Sequence, residues 1–230
     1  TVMNKAREPD KILYTRLRWE DPELLFRVIE ERYEVSHDKS PGSEMWGKYF
    51  CESVGGVPVK DYVVSKILPR PRDIVYLVKA AVSNAVNRRH SKVEEEDIRD
   101  AEPSYSQYAI KSILVENGIS MPELESVIYE FVGGTAILSE EEVLRNIRQG
   151  LKDSAKETYA LQHLIGLTFL GLEVRPGDFL FAEDPDEFRK NSVLASKLRN
   201  QRQGLQRFKV NPAFHAYLEV HDQGNSLASG

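Results

Sequence analysis

The sequence predicts a mainly α-helical protein that carries a small β-hairpin or sheet towards its C-terminal end. Apolar residues recur at helical spacing through the first half of the chain, where prolines and N-capping residues mark the helix starts. In the second half, two short β-prone runs flank the turn Arg175-Pro176-Gly177-Asp178. With 230 residues, 41% of them hydrophobic, the chain can form one large or two small domains.

The first predicted helix extends from Pro22 to about Glu34. Asp21 supplies its N-cap, and proline is favoured in a first helical turn because its missing N–H would be unpaired there anyway. The same signals predict three further helices, over Glu44–Phe50 (closed by Gly55-Gly56), over Pro58–Leu68 and over Pro71–Arg88.

A longer helix is predicted from a capping box at Ser91-Lys92-Val93-Glu94 to about Glu116, with a kink at Pro103. Asn117-Gly118 ends this helix, because Asn and Gly readily adopt the left-handed conformation that follows a helix. We therefore predict a helical domain over residues 1–118.

The second half is predicted to form another domain, over residues 119–221. Three helices followed by a hairpin are typical of a winged helix. The polar tail, residues 222–230, is predicted to be disordered. The predicted elements are helices over Pro122–Phe131, Ser139–Gln149 and Ala155–Leu170, a hairpin over residues 171–174 and 179–181, an amphipathic segment over Pro185–Asn200, a returning strand over Arg207–Val210, and a short helix or turn over Asn211–Leu218.

Composition restricts the class of protein. Charged residues make up 29% of the chain, but the formal net charge is only −5, so any nucleic-acid surface must be local. A single cysteine, Cys51, excludes an internal disulfide and fits a reducing cytoplasm. No apolar run reaches the roughly 18 residues of a membrane span, so we expect a soluble cytoplasmic protein.

One segment resembles a phosphate-binding loop but departs from it. Gly42 to Lys48 satisfies the Gly-x4-Gly-Lys half of the pattern. Tyr49 stands where a Ser or Thr hydroxyl would hold magnesium, and Met45 and Trp46 crowd a loop whose backbone must wrap a phosphate. We therefore expect no ATP hydrolysis, no catalytic residue and no bound cofactor in this chain alone.

Histidines and tyrosines give no catalytic or metal-binding pattern. Tyr105-Ser106-Gln107-Tyr108 lies on a predicted helix, where packing is the favoured interpretation of the two aromatic residues. The histidines show no close metal-ligand spacing, so no metal site is predicted. These residues are His37, His90, His163, His215 and His221.

Residues 186–209 carry a local excess of positive charge, with seven cations against two acids. Such a patch could hold nucleic-acid phosphates without reading bases. The presumed recognition helix, Ala155–Leu170, has no arginine, which disfavours sequence-specific binding and leaves nonspecific DNA contact and protein docking open. The candidate nucleic-acid-binding residues are Arg189, Lys190, Lys197, Arg199, Arg202, Arg207 and Lys209.

The most distinctive segment is Leu68-Pro69-Arg70-Pro71-Arg72-Asp73, at the start of the fourth predicted helix. Guanidinium groups offer planar, permanently charged donors that match phosphate oxygens. Alternatively, Asp73 favours the helix N-terminus electrostatically, and the two arginines pair with surface acids such as those at Glu94–Asp97. Arg72, inside the first helical turn, is the better candidate for a ligand contact, with Arg70 assisting.

Several runs resemble a known family. Leu68-Pro-Arg-Pro-Arg-Asp-Ile-Val-Tyr-Leu, His90-Ser-Lys-Val-Glu-Glu-Glu-Asp-Ile and Ala101-Glu-Pro-Ser-Tyr-Ser-Gln-Tyr-Ala-Ile resemble the helical lid of a family of bacterial P-loop ATPases. That family is related to the origin-recognition and STAND-type AAA groups and tends to accompany phage-defence or DNA-related systems. Phe169-Leu-Gly-Leu-Glu and Phe208-Lys-Val-Asn-Pro-Ala-Phe-His resemble its C-terminal winged helix.

The resemblance implies an AAA-type helical lid followed by a winged helix, without the nucleotide-binding core. Arg72 would then sense the γ-phosphate of ATP that a core holds with Mg in cis or in trans, while Arg70 would assist it or contact a neighbouring subunit. The winged helix would contact DNA or a protein partner. The chain would be an excised piece or a partner-dependent subunit, and could also form homo-oligomers.

Three classes of function are therefore compared. The preferred class is the non-catalytic, regulatory C-terminal part of a P-loop ATPase, which predicts no hydrolysis by the chain alone. A stand-alone winged-helix nucleic-acid-binding protein predicts salt-sensitive duplex binding that depends on Arg199, Arg202 and Arg207. A helical adaptor predicts association with other proteins or with itself that neither nucleotide nor DNA affects.

Overall fold

Helices dominate the computed structural model, which describes residue 19 and residues 21–37, 41–116, 122–151, 153–182, 185–202 and 205–222. The predicted fold class is confirmed, because the chain is mainly helical with a small four-stranded antiparallel sheet in its C-terminal part. The N-terminal elements are α1 (Pro22–Ser36), α2 (Glu44–Tyr49), β1 (Ser53–Val54), β2 (Val57–Pro58), α3 (Val59–Ser65), α4 (Pro71–Arg88), α5 (Glu95–Arg99) and α6 (Glu102–Glu116).

The C-terminal elements surround the four-stranded sheet, in which the strand order is β3-β6-β4-β5. Phe208 of β6 is paired with Leu138 on one side and with Leu172 on the other, and all three side chains are buried. The elements are α7 (Pro122–Tyr129), β3 (Ile137–Ser139), α8 (Glu140–Gly150), α9 (Glu157–Gly166), β4 (Leu170–Arg175), β5 (Asp178–Leu180), α10 (Pro185–Gln201), β6 (Arg207–Val210) and α11 (His215–Leu218).

The predicted order of three helices followed by a hairpin is present as α7, α8, α9 and the β4–β5 pair. Two features were not predicted: strand β3 precedes α8, and β6 lies in the middle of the sheet between β3 and β4. The hairpin prediction itself is confirmed, since Arg175 pairs with Asp178 across a turn in which Gly177 has a φ of +79°. The sheet therefore depends on β6, which α10 separates from the hairpin.

Two glycines were assigned the wrong role. Gly55 and Gly56, with φ values of +58° and +80°, form the turn between β1 and β2 rather than the end of α2. Positive φ at both central residues is the requirement of a type I′ hairpin turn. Helix α2 instead ends at Tyr49, because the next residue, Phe50, is extended.

The capping box before α5 was also misplaced. It is formed by Glu94 and Asp97, not by Ser91 and Glu94, because Asp97 reaches back to the Glu94 N–H at 2.9 Å. The predicted long helix is divided into α5 and α6. Pro103 therefore lies in the first turn of α6 and does not kink a longer helix. Overlapping Ser-x-x-Glu and Glu-x-x-Asp patterns explain the error.

The predicted helix over Ala155–Leu170 is shorter in the structure. Its first residues form a 3₁₀ turn, Ser154–Lys156, and α9 ends at Gly166. Thr168 has a φ of +60°, which turns the chain into β4. Phe169 thereby leaves the helix and packs, completely buried, against the rings of Phe131 and Phe214.

Helix α6 lies between the N-terminal helices and the C-terminal segment. It packs against α4 on one side and against α11 and the 3₁₀ turn Pro212–Phe214 on the other. The backbone N–H of Tyr217 donates to the buried Ser106 hydroxyl at 3.2 Å. The predicted domain boundary at Asn117-Gly118, and the predicted tail beyond Asp222, lie outside the described residues.

Candidate functional site

Helix α4 starts where the sequence predicts, because Pro71 is its first residue and the preceding Arg70 is extended. Arg70 is the N-cap, with φ −136° and ψ 141°, and Arg72 is the second helical residue. The turn therefore places both arginines beside the N–H groups that begin the helix, where the helix dipole is positive.

Asp73 joins this turn to helix α6. Its side chain is completely buried, and the carboxylate lies 2.8 Å from Arg70 Nε. Arg70 Nη2 donates to Asp73 Oδ1 at 3.1 Å, and the Tyr105 hydroxyl donates to the same oxygen at 2.9 Å. Tyr105 also accepts the Leu68 N–H at 2.8 Å, so four groups fix one another. Arg70 consequently has a structural role.

Arg72 lies at the edge of the same network. Its Nε is 3.5 Å from Asp73 Oδ2, and 43% of its side chain is exposed. Of the two arginine side chains, Arg72 is the more exposed, since 26% of the Arg70 side chain is accessible. Among the acids named from sequence, Asp97 pairs with Arg88, whose Nη1 lies 2.8 Å from Oδ1, whereas both Arg70 and Arg72 contact Asp73.

The packing interpretation of the tyrosines on α6 is supported, with one addition. Tyr108 stacks on Tyr76 of α4, with ring centroids 4.3 Å apart and an interplanar angle of 13°. Tyr105 is buried, and burial raises the pKa of its hydroxyl well above the ordinary value. Its two hydrogen bonds to the arginine turn were not predicted, because the sequence shows no link between positions so far apart.

The Gly42–Lys48 segment does not have the geometry of a phosphate-binding loop. Most of it is helix α2, and the Gly42 N–H donates to Glu34 Oε1 at 2.8 Å. Trp46 is buried and donates its ring N–H to Glu30 at 2.9 Å. Lys48 Nζ lies 5.1 Å from the centroid of the Tyr49 ring. The segment packs α2 onto α1 and leaves no backbone cradle.

Alanine substitutions at the two glycines of this segment distinguish packing from phosphate binding. A Cβ atom at Gly42 would lie 2.6 Å from Glu30 Cβ and 2.7 Å from its carbonyl oxygen, so Gly42→Ala should destabilise by about 1–3 kcal/mol. At Gly47 a Cβ meets nothing within 4 Å, so Gly47→Ala should stabilise by up to about 1 kcal/mol. Urea denaturation measures both. Equal stability of Gly42→Ala and the wild type would contradict the packing role.

The predicted cationic patch is divided by internal ion pairs. Arg202 and Arg207 both bind the buried carboxylate of Glu173, and Arg199 Nη2 lies 2.9 Å from Glu140 Oε2. Arg189, Lys190 and Lys197 are exposed on α10, and Lys209 is half-buried on β6. Glu173 was missed by the sequence analysis, although a lone acid in an apolar strand is a signal that it has a buried partner.

Helix α9, the presumed recognition helix, offers little charge to a ligand. Lys156, just before it, pairs with Glu123 at 3.1 Å. The His163 ring contacts Tyr159 within the helix, with centroids 3.9 Å apart, and Gln162 is exposed. That sequence-specific reading is disfavoured stays a prediction.

One histidine lies in an acidic cluster that the spacing did not reveal. His90, Glu94 and Glu96 bring potential ligand atoms within 4.8 Å of one another, at the start of α5. His90 Nδ1 is 2.9 Å from buried Asp97, and this hydrogen bond raises the pKa of His90. His90 Nε2 also lies 3.7 Å from Glu96 Oε1, so the imidazole contacts two acids that the spacing of the histidines did not indicate.

Two other reactive side chains are held by packing. Cys51 is half-buried, and burial raises the pKa of its thiol, which disfavours the nucleophilic thiolate. His215 is buried with Nε2 2.8 Å from the Val210 carbonyl, and burial lowers its pKa, so the neutral form is favoured.

No helix in the described part of the chain combines the length and apolar character that crossing a bilayer requires.

Comparison with known proteins identifies one region. Residues 23–114 match the family described as the FunZ-associated C-terminal helical domain, and the match includes the arginine turn and nearly all of α1 to α6. No curated protein and no solved structure matches the chain. The family description names a helical domain associated with FunZ and no activity, so the ATPase resemblance stays a prediction.

Proposed function

We propose that this chain is a non-catalytic accessory part of a FunZ-type assembly, in which Arg72 contacts the γ-phosphate of a nucleotide held by the partner. The observation that carries this proposal is the position of Arg72, on the first turn of α4 with 43% of its side chain exposed. The similarity of residues 23–114 to a domain described as FunZ-associated supports the existence of a partner domain.

The electrostatics of the turn favour an anion. Arg70 and Arg72 contribute two positive charges and Asp73 one negative charge, and the N-terminus of an 18-residue helix adds a partial positive charge. Asp73 holds Arg70 at 2.8 Å but lies 3.5 Å from Arg72. At Arg72 a phosphate oxygen would therefore meet a longer contact with Asp73 than the one at Arg70.

Buried hydrogen bonds of α6 connect the arginine turn with the C-terminal part of the chain. Tyr105 binds the arginine turn, and the adjacent Ser106 binds the backbone of Tyr217 in α11. A shift of the turn on nucleotide binding would displace Tyr105 and hence α6. In this proposal the winged-helix-like part reports the nucleotide state to DNA or to a protein partner.

The expected result for Arg72→Ala is an affinity for ATP about tenfold lower in the complex of the chain with FunZ, since one charge-assisted contact is lost. Affinity for ADP, which lacks the γ-phosphate, should change less than about twofold. Titration with fluorescent ATP and ADP analogues measures both. Arg89→Gln, which removes an exposed arginine at the opposite end of α4, is the matched control and should leave both affinities unchanged.

Several outcomes would reject the proposal. Arg72→Ala and Arg89→Gln could weaken ATP binding equally, or the complex could bind no nucleotide at all. Hydrolysis of ATP by the chain alone, abolished by Lys48→Ala, would instead establish a phosphate loop at Gly42–Lys48. Association with FunZ that is the same with and without nucleotide would favour the helical adaptor.

A further inference from the structure

A second pair of arginines meets at one buried carboxylate in the C-terminal sheet. Glu173, on β4, is completely buried. Arg207, on β6, donates to both of its oxygens, and Arg202, just after α10, donates to Oε2 at 2.7 Å. The Gly177 N–H, in the β4–β5 turn, donates to Oε1 at 2.7 Å. Glu173 thus holds together three elements: the β4–β5 turn, the end of α10 and the central strand β6.

The Glu173 carboxylate does not occupy all the N–H donors of the two guanidinium groups. Two positive charges face one negative charge, and the hydrogen bonds from Arg207 lower the pKa of Glu173, which keeps it ionised. Each guanidinium has five N–H donors. Arg207 uses Nε and Nη2 and Arg202 uses Nη1, so within the described residues Arg207 Nη1 and Arg202 Nη2 remain available. The two side chains are 40% and 29% exposed.

These available donors border an open pocket. Arg202 and Arg207 line it together with Gln201 and Leu205. The guanidinium of Arg207 also lies over the Phe179 ring, 5.9 Å from its centroid. Because the buried carboxylate already orients both arginines, a ligand would not have to immobilise two long side chains on binding.

We propose that Arg202 and Arg207 clamp a phosphate of a nucleic-acid backbone, and that Glu173 is the positioning residue of this clamp. This inference is independent of the nucleotide contact of Arg72. A polymer of phosphates is favoured because further cations lie along α10: Arg189 and Lys197 line a second groove on this helix, about 12 Å apart at 1.5 Å per helical residue. Backbone contacts of this kind position a duplex without reading its sequence.

Arginine variants of the 230-residue chain test the clamp. Binding of a fluorescent 20-base-pair DNA duplex at low salt is measured by anisotropy. Arg202→Gln and Arg207→Gln should each weaken binding about tenfold and reduce the slope of log affinity against log salt by about 1. Arg199→Gln is the matched control, since it removes the same charge near the end of α10 from an arginine paired with Glu140, and should cost less than about twofold.

Glu173→Gln separates orientation from simple attraction. This variant makes the site more positive by one charge, but it replaces one of the two acceptor oxygens by an NH2 group, which cannot accept from the arginines. The clamp predicts weaker DNA binding by Glu173→Gln, whereas diffuse electrostatic attraction predicts tighter binding. Circular dichroism checks that the variant folds, and if it does not, the comparison of the arginine variants decides.

Other results of this experiment would overturn the proposal. These are no duplex binding by the wild type at low salt, equal losses in all three arginine variants, or tighter binding by folded Glu173→Gln. Displacement of the duplex by inorganic phosphate at equal phosphate concentration would also overturn it, because it would show a site for a free anion rather than for a polymer.

Discussion

Replacement of Asp73 by alanine is expected to lower the free energy of unfolding by about 3–5 kcal/mol, because it removes a buried carboxylate that pairs with Arg70 and accepts from the Tyr105 hydroxyl. Asp73 is completely buried between Arg70 and the Tyr105 hydroxyl. Its removal takes away the acceptor of both groups and loosens the start of α4. Urea denaturation followed by circular dichroism measures the change.

Two further variants are compared with Asp73→Ala. Asp61→Ala, in the exposed first turn of α3, removes the same side chain and should cost less than about 1 kcal/mol. Tyr105→Phe removes only the hydroxyl that links Leu68 and Asp73, and should cost about 1–3 kcal/mol. If Asp73→Ala were no more destabilising than Asp61→Ala, the network would not hold the arginine turn.

Replacement of Phe169 by alanine is expected to destabilise the protein by about 3–5 kcal/mol through loss of buried apolar contact and formation of a cavity. The Phe169 ring is completely buried, with the centroids of Phe131 and Phe214 each 5.2 Å away. It joins the end of α7, the start of β4 and the segment before α11. The cavity cannot close easily, because both neighbouring rings are themselves fully buried.

Thermal and urea denaturation of Phe169→Ala measure this effect. Val193→Ala is the control for loss of an apolar side chain, since Val193 is 51% exposed on α10 and should change stability by less than about 0.5 kcal/mol. A loss below about 1 kcal/mol for Phe169→Ala would show that the three rings do not form a single packed cluster.

The helices of the first half were largely predictable because their signals are local. Helix α4 begins at Pro71 and ends at Arg88 as predicted. Its first-turn proline and its apolar repeat are signals that act on the backbone within a few positions. Helix α1 and the β4–β5 hairpin were located for the same reason. The signals failed where two patterns overlapped, as in the capping box of Glu94 and Asp97.

The pairing of strands and charges was less predictable because it joins distant parts of the chain. Strand β3, three residues long, gains its partner only from β6, about 70 residues later. Arg207 pairs with Glu173, 34 positions away, which places a buried negative charge beside the cations assigned to a nucleic-acid surface. No local pattern distinguishes an arginine with a buried acceptor from one that faces solvent.

The sequence alone therefore determined the fold class, the extent of most helices, the hairpin and the position of two arginines at the start of α4. These depend on backbone preferences and apolar spacing within a few residues. Only the tertiary structure decided that Asp73 and Tyr105 fix Arg70 while Arg72 is exposed, and that Glu173 orients Arg202 and Arg207. Burial assigns these roles, because a buried carboxylate needs partners that folding brings from distant segments.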